Sequence, residues 1–258
     1  MSATQRNTVL EQLRAQVSRL ERGSTVCDAV PLCAPIDGWL PDNGLLRGAV
    51  HEVLSGDEGA AVGFCAMVLG RLGGTVAWIA PEPDAAPEGL RRFGLEPAAI
   101  LFVAATEPAD ALWAMEEALR CSALAGALLV TASPGLAAAR RLQLAAEAGG
   151  GLGLLLRPDE GAALPTAALT RWRVAAAHES STGSAAPSRQ PRWQPRWQFS
   201  WQPSWRLELL RARAGRAGQW QVRWEAETRR LAVETTEGES AGHEPLGHEP
   251  TGPGAIRA

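Results

Sequence analysis

The stretch HEVLSGDEGAAVGFCAMVLG, residues 51–70, decides the fold. Its first residues close a β-type run, AVHEVL, over 49–54. A glycine-bearing turn follows, and then an Ala/Met/Leu-rich helix over 58–72. In α/β proteins a strand–turn–helix junction of this kind is where a phosphate-binding loop sits. Such a loop reads GxxxxGK[ST]. Its glycines bare backbone N–H groups, its lysine neutralises the β- and γ-phosphates, and its hydroxyl holds magnesium. Here Gly56 and Gly59 are present, and Gly63 stands at the second glycine position counted from Glu58. Phe64 and Cys65 occupy the lysine and hydroxyl places, and Asp57 and Glu58 put negative charge where phosphates approach. Gly56, Gly59, Gly63 and Phe64 therefore mark a degenerate P-loop position, a turn that only closes the fold. No nucleotide or other cofactor is expected.

Working outward, the 25 basic residues are all arginine and the chain contains no lysine. A GC-rich coding bias explains that choice, but lysine chemistry is absent whatever the cause. Downstream, TVAWIA (75–80), ILFVA (100–104), ALLVT (127–131) and LGLLL (152–156) are apolar throughout. Helical patterns separate them, at 87–93, 109–121 and 134–148. Uniformly apolar strands alternating with helices predict a parallel sheet covered on both faces. The strand ALLVT would end in a magnesium-holding aspartate in an ATPase; it ends instead in Thr131, Ala132 and Ser133. Glu82 follows TVAWIA in the place of an activating carboxylate, with no phosphate to activate against.

Other chemistries find little footing. Cys27, Cys33, Cys65 and Cys121 lack paired CxxC spacing and are expected to be reduced structural thiols, the last two buried in helices. His51 and Glu52 are neighbours on a strand and so point to opposite faces, which rules out a dyad. His178 lies in a loop, and His243 and His248 in two GHEP repeats of the tail. No metal site is expected. Residues 1–6 are polar, the apolar runs are short, and nothing reads as a signal peptide or membrane span, so the cytoplasm is the expected location.

Residues 9–22 read as an amphipathic helix, with Leu10, Leu13, Val17 and Leu20 in one stripe. From residue 167 the texture alternates. ALTRWRVA, WRLELLRARAG, QWQVRWEAE and RRLAVE read as antiparallel strands extending the sheet edge, with a turn at 215–218. Between the first two lies a Ser/Gly/Pro-rich stretch and then a local repeat that places Trp193, Trp197, Trp201 and Trp205 four apart. Its mix of tryptophan and arginine suits single-stranded nucleic acid or a protein hot spot. The tandem near-identity favours a repeat expansion, with only Trp205 integral to the fold.

Taken together, GWLPDNGLLRGAVHEVLS, TVAWIAPEP, ALLVTASPGLAAARRLQLAAEAGG, TRWRVAAA and WRLELLRARAGRAGQWQVRWE resemble the ImuA family, from about Leu10 to Val233. The order of elements resembles the RecA core, and the division inhibitor SulA is similar to this group too. The resemblance implies a RecA-like, mostly parallel α/β sheet flanked by helices, with antiparallel strands at the C-terminal edge. Residue patterning places an N-terminal amphipathic helix at 1–24, a RecA-like α/β domain at 25–234 with a flexible Trp/Gln/Pro insertion at 178–204, and a disordered acidic tail at 235–258. The resemblance assigns no role to the insertion or the tail, which depart from the family pattern. It also implies a non-catalytic accessory role in DNA-damage-induced, error-prone translesion synthesis. The partners would be ImuB, the Y-family polymerase homologue, and RecA, with an error-prone replicative-type polymerase reached indirectly. The family supplies no catalytic residues to carry over, and direct DNA contact is left open.

Two other readings stand beside this one: a divergent DNA-dependent ATPase or recombinase, and a SulA-like inhibitor of cell division. For the partner contact the sequence points to the N-terminal helix and to Trp205, Leu207, Leu209, Leu210, Arg211 and Arg213. The segment carrying these six reads as an edge strand open to strand addition.

Overall fold

The computed structural model describes residues 28–82, 85–132, 134–159, 165–177 and 202–234. The N-terminal helix read at 9–22, most of the insertion and the acidic tail lie outside the described residues. Two short strands, β1 (Ala29–Val30) and β2 (Leu45–Leu46), pair antiparallel around the short helix α1 (Ala34–Asp37). The main sheet has nine strands in the order β11-β10-β9-β8-β3-β7-β6-β4-β5. Its members are β3 (Val50–Ser55), β4 (Val76–Ala80), β5 (Ile100–Ala104), β6 (Gly126–Val130), β7 (Leu152–Pro158), β8 (Thr170–Ala176), β9 (Ser204–Ala212), β10 (Gly218–Glu225) and β11 (Arg230–Val233). From β8 across to β5 all neighbours run parallel, while β9, β10 and β11 join antiparallel. This is the expected mostly parallel sheet flanked by helices, with antiparallel strands at its C-terminal edge.

One expectation is corrected by the sheet itself. The segment ALTRWRVA is not antiparallel: β8 runs parallel to β3 and is the last of the parallel set. Its alternation arises because one face is core and the other carries Arg171, Arg173 and Ala175, a pattern that fits either direction. Cys121 is also not buried. It terminates its helix and is exposed, whereas Cys65 is fully buried.

Four helices cover the parallel strands. On one face lie α2 (Glu58–Gly70) and α3 (Pro87–Arg91); on the other lie α4 (Pro108–Arg120) and α5 (Gly135–Gly149). The α2 sequence is apolar nearly all round, and a helix of that kind must be enclosed on every side. Phe64 through Leu69 are all buried, between the sheet, α3 and the α1 region, with Val30, Ile36 and Leu45 in the same cluster. Gly63 is small for a reason: a Cβ there would lie 2.6 Å from the Phe93 ring. The outer helices show the ordinary one-sided pattern, with Ala111, Met115 and Leu119 of α4 and Leu142, Ala145 and Ala146 of α5 turned inward.

An aromatic ladder ties the antiparallel edge to the core on the α2 face. Phe64 meets Trp172 at 5.9 Å and Trp205 at 6.4 Å; Phe93 meets Trp205 at 5.7 Å and Trp224 at 6.3 Å. Trp205 is thus integral to the fold, as the sequence reading held. Beneath the ladder runs a buried polar relay. The Trp172 indole N–H donates to Thr170 Oγ1 at 2.9 Å. Thr170 Oγ1 lies 2.8 Å from His51 Nδ1, and His51 Nε2 lies 2.9 Å from the Leu46 carbonyl. A carbonyl only accepts, so Nε2 carries the proton and Nδ1 accepts from the threonine hydroxyl. The imidazole is neutral, and burial pulls its pKa down to about 4.

That shift has a sign. The folded-state value lies below the unfolded one, so His51 costs nothing above about pH 6.5, and its destabilisation grows as pH falls from there toward 4. Urea unfolding should therefore show a loss of about 2 kcal/mol from this group between pH 7.5 and pH 5. Desolvation raises the Asp37 carboxyl and gives the opposite sign. The readout is accordingly the difference between wild type and His51→Gln, which should lose this component of the pH dependence.

Candidate functional site

The degenerate loop sits at the carboxyl end of β3, where ligands bind in open α/β sheets. Only Gly56 and Asp57 separate β3 from α2, so no chain is left to wrap a phosphate. Three of the N–H groups at this turn, those of Gly56, Asp57 and Ala60, are already engaged. Gly56 N–H and Asp57 N–H both donate to the Val174 carbonyl of β8, at 2.9 and 3.3 Å. Asp57 is the N-cap of α2, and its Oδ1 accepts from Ala60 N–H at 2.9 Å. The helix N-terminus thus holds a carboxylate of its own chain, which satisfies the orphan donor and complements the helix dipole.

The other residues of the expected loop are elsewhere. Gly59 and Gly63 lie inside α2, and Phe64 is wholly buried against Trp172 and Trp205. At the end of β6, Thr131 N–H donates to the Leu156 carbonyl and the Ala132 carbonyl accepts from Arg157 Nε at 2.8 Å. Glu82 is exposed. A shallow depression of ≈ 390 Å³ does open beside the turn, lined by Gly56, Asp57, Ala175, Ala176, Ala177, Arg206 and Gln221. Its Asp57 carboxylate opposes an anionic ligand. Among the described residues, no three His, Cys, Asp or Glu side chains converge to hold a metal ion, and no helix is long and apolar enough to cross a membrane.

The charged constellation that sequence reading missed is buried on the opposite, α4–α5, face. Glu52 of β3 pairs through Oε1 with Arg157 of β7, and through Oε2 with Arg171 Nε of β8 at 2.5 Å. All three side chains are at most 6% exposed. Glu52 and Arg171 face each other directly across the parallel ladder, and so do His51 and Thr170. The dipeptides His51–Glu52 and Thr170–Arg171 are therefore one unit, a polar relay on one face and an ion cluster on the other. Each member has a structural partner, so the cluster fastens strands together and offers no free acid or base. The only sequence signal for it was charge inside apolar strands.

The expected partner segment is placed differently from the reading. β9 pairs with β8 on one side and β10 on the other, so it is an interior strand and strand addition there is excluded. Trp205, Leu207 and Leu209 are core residues at 2%, 0% and 1% exposure. Leu210 is half-buried, and only Arg211 and Arg213 are exposed. The error has a plain cause: β11 follows β10 as a hairpin and takes the outer edge, an order that alternation alone does not encode.

With this geometry in place, comparison with known proteins is informative. The chain is 36% identical over 203 residues to Protein ImuA of Caulobacter vibrioides strain NA1000 / CB15N, a match covering 72% of this chain and 78% of that protein. Protein ImuA of strain ATCC 19089 / CIP 103742 / CB 15 matches to the same extent. Among solved structures, SulA from Pseudomonas aeruginosa aligns over 42% of this chain and 97% of its own, at 30% identity and a TM-score of 0.35. No protein-family model matches the chain.

Two substitutions test the structural assignments. Asp57→Ala should cost about 1 kcal/mol in chemical denaturation, the usual loss of a cap. Glu52→Gln strands two buried guanidinium groups and should cost about 3–5 kcal/mol; a change below 1 kcal/mol would show that the cluster is not tightly buried.

Proposed function

The chain belongs to the ImuA family, and from that premise we propose that it is a non-catalytic accessory protein of DNA-damage-induced, error-prone translesion synthesis. In this reading it acts in the cytoplasm through contacts with ImuB, the Y-family polymerase homologue, and with RecA. The error-prone replicative-type polymerase is reached through ImuB. The observation that carries the non-catalytic half is the β3–α2 turn. Its two N–H groups are spent on Val174, and its helix dipole is spent on Asp57. A lysine or arginine substituted at Phe64 would not repair such a site, because that side chain points into the core.

The partner contact moves accordingly. Among the described residues, the outermost strands of the sheet are β5 and β11. β5, with the sequence ILFVA, has no charge, proline or bulge, the devices by which exposed edges discourage pairing. Leu101 is 52% exposed, Phe102 37%, and Trp113 on α4, the helix that follows β5, 65%. Apolar exposure at an open edge supports docking of an extended ImuB segment there by strand addition.

Titration calorimetry with millimolar ATP and magnesium should give no saturable heat; saturable binding would return the ATPase reading. Capture of ImuB by the full chain should fall at least tenfold in the double variant Leu101→Glu/Phe102→Glu, with the thermal midpoint unchanged. Full retention of ImuB would remove the contact from β5.

A further inference from the structure

We propose that the β9–β10 turn, through Arg211, Arg213 and Arg216, is a contact site for the phosphate backbone of a nucleic acid. The first observation is one of charge. All three arginines are exposed, and none has a carboxylate within ion-pair distance among the described residues. Elsewhere arginine is mostly neutralised: Arg91 and Arg229 by Glu96, Arg120 and Arg141 by Glu116, Arg173 by Asp159 and Glu208. A coding bias explains why these cations are arginine and not lysine. It does not explain why three without a counter-charge gather within one turn.

The second observation is that the turn is held rigid. Ala214 adopts a left-handed φ of 62°. Arg213 N–H donates to the Leu169 carbonyl at 2.9 Å, and Arg216 N–H donates to the Trp39 carbonyl at 3.3 Å. A Cβ on Gly215 would lie 2.7 Å from that same carbonyl, so the backbone is seated directly on the residues that follow α1. Asp42, a carboxylate of that neighbouring loop, is itself engaged.

The side chains are partly pre-set as well. Arg211 donates to the Thr166 carbonyl at 3.0 Å. The Arg216 guanidinium lies over the Trp39 ring, 4.8 Å from its centroid, and Trp39 is braced edge-on by Trp220 at 5.5 Å. Stacking uses the face of a guanidinium and leaves its in-plane N–H donors available, the geometry that grips a phosphate bidentately.

Chemistry selects the partner class. Between the arginines and just after them stand only Ala212, Ala214, Gly215, Ala217 and Gly218. A protein hot spot needs a large apolar anchor at its centre; the turn's own residues offer none, and the Trp39 ring beneath it is covered by Arg216. Small residues with projecting cations suit a polyanion that is bound by its backbone and not read by its bases. The net charge of −3 does not oppose this. The tail at 235–258 holds four glutamates against one arginine, so the rest of the chain is neutral. The site stands apart from the β5 edge and does not rest on the docking of ImuB there.

The test is fluorescence anisotropy of the full chain with a fluorescein-labelled 30-nucleotide single strand and the matching duplex, between 50 and 200 mM salt. The wild type should bind at least one form. With three phosphates engaged, the log–log salt slope on the single strand should be about −2. The variant Arg211→Gln/Arg213→Gln/Arg216→Gln should lose about tenfold in affinity at 50 mM salt and most of that slope. The corresponding triple arginine-to-lysine variant should retain both. If the glutamine triple does not fold, Arg213→Gln alone should reduce the slope by about 0.7. Absence of wild-type binding, or an unchanged slope in the glutamine variants, overturns the proposal. So does loss of ImuB capture with DNA binding intact, which would make this a protein surface.

Discussion

The structure depends on one cross-strand junction, the pairing of β3 with β8. On one face Glu52 binds Arg171 of β8 and Arg157 of β7. On the other, His51 accepts from Thr170, which accepts from Trp172. Apolar packing is tolerant of small shifts in register, but these contacts are not. A slip of one residue would turn Arg171 into the apolar core and leave Glu52 without a counter-charge. The junction also carries the antiparallel edge, because β9, β10 and β11 reach the parallel sheet only through β8. The aromatic ladder from Phe64 to Trp224 then fills the space above strands whose alignment has already been fixed.

The same junction also shapes the carboxyl end of β3. The carboxyl end of β3 would face a phosphate in a RecA-like ATPase. Here it turns at once into α2, and its N–H groups bond to the end of β8. Closing the turn in this way draws α2 down onto the sheet and lets Phe64 enter the core between Trp172 and Trp205. The position that a phosphate-binding lysine would take is filled by Phe64 as part of the core.

Much of this was legible in the sequence. β4, β6 and residues 152–156 of β7 are apolar throughout because helices cover both their faces, and that pattern is unambiguous. The missing lysine and the missing strand-end aspartate were equally plain. The shape of the turn was not, because nothing local distinguishes a two-residue connection from the start of a longer glycine loop. β8 was misread in direction, since a strand with one apolar face alternates identically whether parallel or antiparallel. β9 was misread as an edge because strand order is a long-range property, set by the hairpin that follows it. The partners of Glu52 lie 105 and 119 residues away, beyond any local pattern.

That separation has a consequence for how the protein is made. The central strand cannot pair until β7 and β8 exist, and Thr170 follows His51 by 119 positions. At ordinary rates of translation the wait is on the order of ten seconds. Throughout it, β3, with His51 and Glu52 unpartnered, and an almost wholly apolar helix lack the strands they pack against. Apolar surface waiting on distant partners is what chaperones shield during synthesis, and topologies dominated by distant contacts fold slowly as a class.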